Sequence, residues 1–228
     1  SETTCVVFDI LRATSSMVTA LANGAEHIRP VATIDEALAA KAEYPEALLC
    51  GERHGQRITA EQAKGTDFDL GNSPREYTAE IVTGKTLITT TTNGTRALRA
   101  SLGAREVLVS SFLNLQATID HLREASLKRL ALVCGGTFEE AAFEDTLAAG
   151  AIADAVWDLF TDDSIEDSAQ IARALWLAHG ASSNASIQYA LNARRLLAVP
   201  ELAADVDFCL QRDTIGQVVH LDPRGWVA

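Results

Sequence analysis

Cysteine is scarce in this chain and wrongly spaced for a metal. Cys5, Cys50, Cys134 and Cys209 form no Cys-x-x-Cys pair and no zinc pattern. They read as small buried residues in a reducing compartment, so a cytoplasmic location is expected. Long apolar runs are missing too: nothing approaches the roughly 20 residues that span a bilayer. The opening Ser1-Glu-Thr-Thr4 has neither a basic nor an apolar region, so no signal peptide is expected. Positive charge is in deficit. A net charge of −12 argues against nucleic acid or an anionic membrane as partner. It leaves room for a small anion, because a few arginines can reverse the field within one cleft.

Several catalytic signatures are absent. Asp9 is followed by Ile-Leu, so there is no Asp-x-Asp nucleophile pair. Cys134 has no arginine six residues later, which removes the Cys-x5-Arg phosphatase loop. There is no Gly-x4-Gly-Lys-Ser/Thr, no Gly-x-Gly-x-x-Gly, no Gly-x-Ser-x-Gly and no His-Glu-x-x-His. The histidines His27, His54, His121, His179 and His220 are scattered and none pairs with another along the chain. Histidine catalysis is therefore unsupported.

What is present is a regular alternation. Apolar, β-branched runs at 6–8, 28–31, 47–50, 86–92, 107–111 and 130–134 predict buried strands. Segments 15–23, 34–44, 75–82, 95–102, 115–124 and 144–160 predict helices between and after them. Asn23-Gly24 stops the first, and Thr33 or Asp35 opens the second. The order implies an α/β fold, a mostly parallel sheet with helices on both faces. Residues 1–160 make this core. Residues 161–228 form a mainly helical C-terminal portion, with helices at 165–177 and 187–199 and a late strand at 217–221. Residues 51–74 show no periodicity, and a stretch that long inside a compact domain tends to be functional. Leu175, Trp176 and Leu196 read as core, and a homo-oligomer is expected.

Four polar clusters follow the predicted strands: Asp9-Ile-Leu-Arg-Ala-Thr14, Gly51-Glu-Arg53, Thr89-Thr-Thr-Thr-Asn-Gly-Thr-Arg96 and Cys134-Gly-Gly136. Ligands of open α/β sheets bind at the carboxyl ends of strands. Arginines, hydroxyls, glycines and carboxylates gathered there suit an anion site with a metal. The amides and hydroxyls around Thr91-Thr-Asn-Gly-Thr95 can hold an oxyanion at a helix start. The same residues also read as a β-branched strand, an Asn-Gly turn and a threonine cap. Arg12, Arg53, Arg57 and Arg96 can fork onto oxyanions. Asp9, Glu144 and Asp145 can hold a hard cation, although acidic residues also favour a helix start for dipole reasons alone.

Taken together, these words resemble the 2-phosphosulfolactate phosphatases. The run Val7-Phe-Asp-Ile-Leu-Arg-Ala-Thr14, Gly51-Glu-Arg53, Phe68-Asp-Leu-Gly-Asn-Ser-Pro74 and Thr90-Thr-Thr-Asn-Gly-Thr-Arg96 carry the resemblance. It continues through Ser111-Phe-Leu-Asn114, Cys134-Gly-Gly136, Phe143-Glu-Asp145, Asn192-Ala-Arg-Arg-Leu196 and Asp205-Val-Asp-Phe-Cys209. His54 stands where a small residue is expected. The resemblance implies Mg²⁺-dependent hydrolysis of (R)-2-phospho-3-sulfolactate to 3-sulfolactate and phosphate. Catalytic candidates are Asp9, Arg12, Glu144 and Asp145, with Asp9, Glu144 and Asp145 on the metal. Substrate candidates are Glu52, Arg53, Asn72, Ser73, Thr91, Thr92, Asn93, Gly94, Thr95, Arg96, Gly135 and Gly136. The alternatives are a phosphatase of another small phosphorylated hydroxy acid, or a non-catalytic protein that binds a small anion.

Overall fold

A computed structural model describes residues 2–138 and 140–228 of the chain, so Ser1, read above for a signal peptide, lies outside it. Its strands are β1 (Thr3–Phe8), β2 (His27–Pro30), β3 (Leu48–Arg53), β4 (Gln56–Arg57), β5 (Thr86–Thr90), β6 (Glu106–Ser110), β7 (Arg129–Cys134) and β8 (Val219–His220). The helices are α1 (Ala13–Ala22), α2 (Ile34–Glu43), α3 (Ala79–Val82), α4 (Gly94–Ala100), α5 (Leu115–Glu124), α6 (Phe143–Ala155), α7 (Asp167–His179), α8 (Ser183–Ser186), α9 (Leu191–Leu197) and α10 (Pro200–Cys209). The class is α/β, as the alternation implies.

The strands divide between two sheets rather than sharing one. The first runs β7-β1-β6-β8, the second β2-β5-β3-β4. Pairing is parallel except for β8 on β6 and β4 on β3. The alternation of side chains along a strand explains the layering. On β1, Val6 and Phe8 join one core with Leu147, Ile152, Ala193, Leu196 and Val206. Cys5 and Val7 join another, which takes in Val18 and Leu21 of α1 and Leu87 of β5. On β5 the next residue, Ile88, faces a third core with Ala37, Leu49 and Phe68. Strands buried on both faces read as continuous apolar runs, the pattern seen at 5–8.

Local chemistry accounts for the differences from the sequence expectation. The segment 51–74 is not structureless: β3 continues to Arg53 and turns through His54 and Gly55 into β4. Both turn residues have positive φ, 56° and 82°, as a tight two-residue hairpin needs. Thr33 caps α2, its hydroxyl accepting from Glu36 N at 3.1 Å. The helix expected over 187–199 is a short 3₁₀ turn (Ile187–Tyr189) followed by α9, and α10 opens on Pro200 at its first position. Cys5, Cys50 and Cys209 are buried, but Cys134 is exposed, because β7 is the edge of its sheet. Leu196 is buried, and Leu175 and Trp176 pack half-buried against the first core.

Candidate active site

The carboxyl ends of both sheets meet at Asp9, the residue after β1. Two glycines make this possible. A Cβ on Gly94 would sit 2.5 Å from Ala13 Cβ and 2.7 Å from Asp9 Oδ2. One on Gly135 would sit 3.0 Å from Phe8 O and 3.1 Å from Asp9 Cβ. Asp9 Oδ1 accepts from Ala13 N at 3.2 Å, and the Asp9 amide donates to Thr14 Oγ1 at 3.1 Å. The carboxylate is 8% exposed. Burial, opposed by the amides of Ala13 and Gly94 and helped by the charge of Glu52, raises its pKa to about 6.

Glu144 and Asp145 open α6 beneath it. Asp145 uses both oxygens on the backbone, Oδ1 accepting from Ile10 N at 2.8 Å and Oδ2 from Gly136 N at 3.0 Å. It ties the loops after β1 and β7 together. Burial, then the charges of Asp9 and Glu144, push its pKa well above the usual carboxylate range. Glu144 is 1% exposed, and its Oε2 has no hydrogen-bond partner. Burial first and Asp9 next raise it to about 7. A buried carboxylate oxygen without a donor is costly in a dry site. A hard cation between Glu144 and Asp9 would relieve that cost, and Mg²⁺ binds through one or two carboxylates and keeps its waters. The donor set fits Mg²⁺: Asp9 and Glu144 would hold it, and Asp145, whose two oxygens both accept backbone amides, would stand behind them.

The loop after β5 behaves differently from the free anion cradle suggested by its sequence. Thr92 N and Oγ1 both donate to Glu52 Oε1, at 2.8 and 2.9 Å. Thr91 and Thr95 satisfy each other, Thr95 N to Thr91 Oγ1 at 3.2 Å and Thr91 N to Thr95 Oγ1 at 3.3 Å. Asn93 Nδ2 donates to Gly136 O at 2.9 Å. The loop thus clasps the chain's own carboxylates and joins β5 to β3 and β7. Glu52 completes the clasp through Oε2, which accepts from Gly55 N at 2.8 Å.

The arginines separate by role. Arg12 is buried; Nη1 donates to Asp205 Oδ2 at 2.6 Å and Nη2 to Gly55 O at 2.7 Å. Asp205 Oδ1 accepts from Ser73 Oγ at 2.7 Å and Arg75 Nε at 2.8 Å. Arg53 turns back onto the strands, donating to Glu52 O and to Thr90 O and Oγ1. Burial lowers its pKa. Arg57 donates to Asp69 O at 3.3 Å. Arg96 is exposed on α4.

A cavity of about 120 Å³ opens over Asp9. Arg12, Glu52, Asn72, Thr92 and Asn93 line it; Arg53, Arg57, Ser73 and Arg96 do not. Its other wall comes from the C-terminal helices and was not assigned from the sequence. Asn192 lines the wall, donates to Leu11 O at 2.5 Å, and stabilises the charged form of Glu144. Arg195 stands at the rim with its guanidinium 4.4 Å from the Phe138 ring centroid. His54, on the hairpin turn, also lines the cavity. The sequence signal for Asn192 and Arg195 is the word Asn192-Ala-Arg-Arg-Leu196, which carries the resemblance but no role of its own; His54 is the residue that stands where a small one is expected.

A sequence model of the 2-phosphosulpholactate phosphatase family matches residues 1–223. Similar proteins named probable 2-phosphosulfolactate phosphatase occur in several bacteria. That of Pseudothermotoga lettingae is 42% identical over 209 residues, covering 92% of this chain and 85% of the relative. That of Thermotoga maritima is 40% identical over 218 residues, covering 96% and 88%. That of Clostridium acetobutylicum is 37% identical over 213 residues, covering 93% and 86%.

Proposed function

Because this chain belongs to the 2-phosphosulpholactate phosphatase family, we propose that it hydrolyses (R)-2-phospho-3-sulfolactate to 3-sulfolactate and phosphate, with Mg²⁺ held by Asp9 and Glu144. The chain is a phosphoric monoester hydrolase. The observation that carries the metal-dependent reading is the partnerless Glu144 Oε2, buried beside a second raised carboxylate. When bound, Mg²⁺ would neutralise charge spreading over the transferred phosphoryl oxygens.

The remaining chemistry belongs to the side chains. Asp9, held rigid between Gly94 and Gly135, orients the attacking water and takes its proton at a carboxylate oxygen. Arg12 supplies a fixed positive charge on the cavity wall, its guanidinium locked by Asp205 and Gly55 O. Arg195 reads the second anionic group. It is the cation on the rim that has no carboxylate partner among the described residues, and its Phe138 platform leaves the guanidinium edge open to a sulfonate. Asn192 sets the position of Glu144.

The test is phosphate release from racemic 2-phosphosulfolactate, beside phospholactate and p-nitrophenyl phosphate, with and without Mg²⁺. Mg²⁺-dependent release that favours the sulfonated ester is the expected result. Equal release from all three would overturn the substrate and keep the reaction class. Ligand-dependent stabilisation without turnover of any ester would overturn the reaction itself.

A further inference from the structure

Away from the pocket, three side chains from three elements meet at the other end of the first sheet. Glu106 opens β6 opposite Thr4, whereas Ser110 at the strand's end lies opposite Phe8, next to Asp9. Four strand steps, about 13 Å, separate the two ends. His121 comes from the last turn of α5, and His220 from β8, where it pairs with Leu108. His121 Nε2 lies 2.9 Å from Glu106 Oε1, and His220 Nδ1 lies 3.6 Å from the same oxygen. The imidazoles stand edge to face with centroids 5.4 Å apart. One ligand atom from each residue lies within 4.8 Å of the other two.

These separations suit a coordinated ion. Zinc holds nitrogen and oxygen ligands at about 2.0–2.2 Å, so the edges of its tetrahedron are roughly 3.3–3.4 Å. The two contacts to Glu106 Oε1 fall on either side of that length. A simple His–Glu hydrogen bond accounts for His121 alone; it gives no reason for a second imidazole drawn toward the same oxygen. All three side chains are half-exposed, which leaves a fourth position open to water. Two imidazoles and one carboxylate favour zinc or a similar transition metal over Mg²⁺, which takes oxygen donors.

We propose that Glu106, His121 and His220 form a zinc-type metal site, separate from the catalytic pocket, that fastens α5 and the short C-terminal strand β8 to β6. The strand has two register pairs with β6, Leu108 with His220 and Val109 with Val219, and the chain end after it is tied to β2 by Ile28 and Val227, so such a clasp would add to the hold on β8 and α5.

The experiment uses the full chain stripped with a chelator and titrated with Co²⁺, then Zn²⁺, in excess Mg²⁺. One Co²⁺ per chain is expected to give the strong visible absorption of a four- or five-coordinate ion, and Zn²⁺ to bleach it. The Tm should rise by about 5–10 °C at free zinc 100-fold above Kd. His121→Ala and His220→Ala should each weaken zinc by more than about 100-fold, since even outer partners of a metal ligand are worth 10- to 100-fold. Mg²⁺-dependent phosphate release should stay at the parent level in both. Glu106→Gln, a milder change, should lose the cobalt spectrum while circular dichroism stays native. Asp9→Asn should keep the spectrum. The weak absorption of octahedral cobalt, zinc affinity unmoved in the histidine variants, or a spectrum lost in Asp9→Asn would each overturn the proposal.

Discussion

Replacing Asp205 by alanine should destabilise the protein more than any change at the cavity surface. Asp205 is fully buried on α10 and accepts from Arg12, Ser73 and Arg75. In Asp205→Ala the Arg12 guanidinium, itself 3% exposed, keeps only Gly55 O among these contacts. Breaking a buried ion pair from one side costs about 3–5 kcal/mol. The Arg75 arm adds little, because its side chain is 43% exposed and solvent screens it. A chain of this size loses about 2–4 °C of Tm per kcal/mol, so calorimetry should show a fall of roughly 6–20 °C. Asp205→Asn, which keeps the shape and one acceptor oxygen, should fall less. Below its Tm, Asp205→Ala should also lose activity, by up to about 100-fold, because Arg12 is no longer fixed on the cavity wall. A Tm within about 3 °C of the parent would refute this account of the Arg12–Asp205 pair.

Three further outcomes follow from the same geometry. Arg195→Gln should raise KM for the sulfonated ester roughly 10- to 100-fold, the value of one charge-assisted hydrogen bond, with little change in kcat; an equal rise for p-nitrophenyl phosphate would show that it does not read the sulfonate. Gly94→Ala should cost about 1–3 kcal/mol by overpacking against Ala13 and should displace Asp9, so turnover should fall alongside Tm; a fully active variant would mean the close approach is not needed. In chelator, Asp9 and Glu144 titrate near 6 and 7 when folded, against ordinary values of 3.8 and 4.5. The native state then binds more protons than the unfolded state between about pH 4 and 7, so these groups lose stability as pH rises through that window. The Tm gap between Asp9→Asn/Glu144→Gln and the parent should widen in the variant's favour from pH 5 to 7.5, and a gap that stays flat would contradict the buried-carboxylate reading.

Asp9, Thr92, Asn93 and the Glu144-Asp145 pair were legible because each follows a strand or opens a helix, and Glu52 because it sits at the carboxyl end of β3; parallel strands bring such positions to one edge. Their partners were not legible. Arg12 looks like an anion hook in its own segment, and only the fold brings Asp205 to it from 193 residues away. The threonine loop after β5 has the composition of an oxyanion cradle, but its amides are turned onto Glu52 and Asp9 by the packing of one sheet end against the other. The split into two sheets was hidden for a related reason: strands buried on both faces read alike, whichever neighbour they pair with. Histidines that look scattered along the chain, His121 and His220, converge on Glu106 because α5 and β8 both pack on β6. Local pattern therefore locates the residues that end strands, whereas charge partnerships depend on which helix covers which face. In this chain that separates the carboxylates, whose positions can be read in sequence, from the arginine at the rim, Arg195, whose place on the wall of the Asp9 cavity emerges only when α9 packs against the first core.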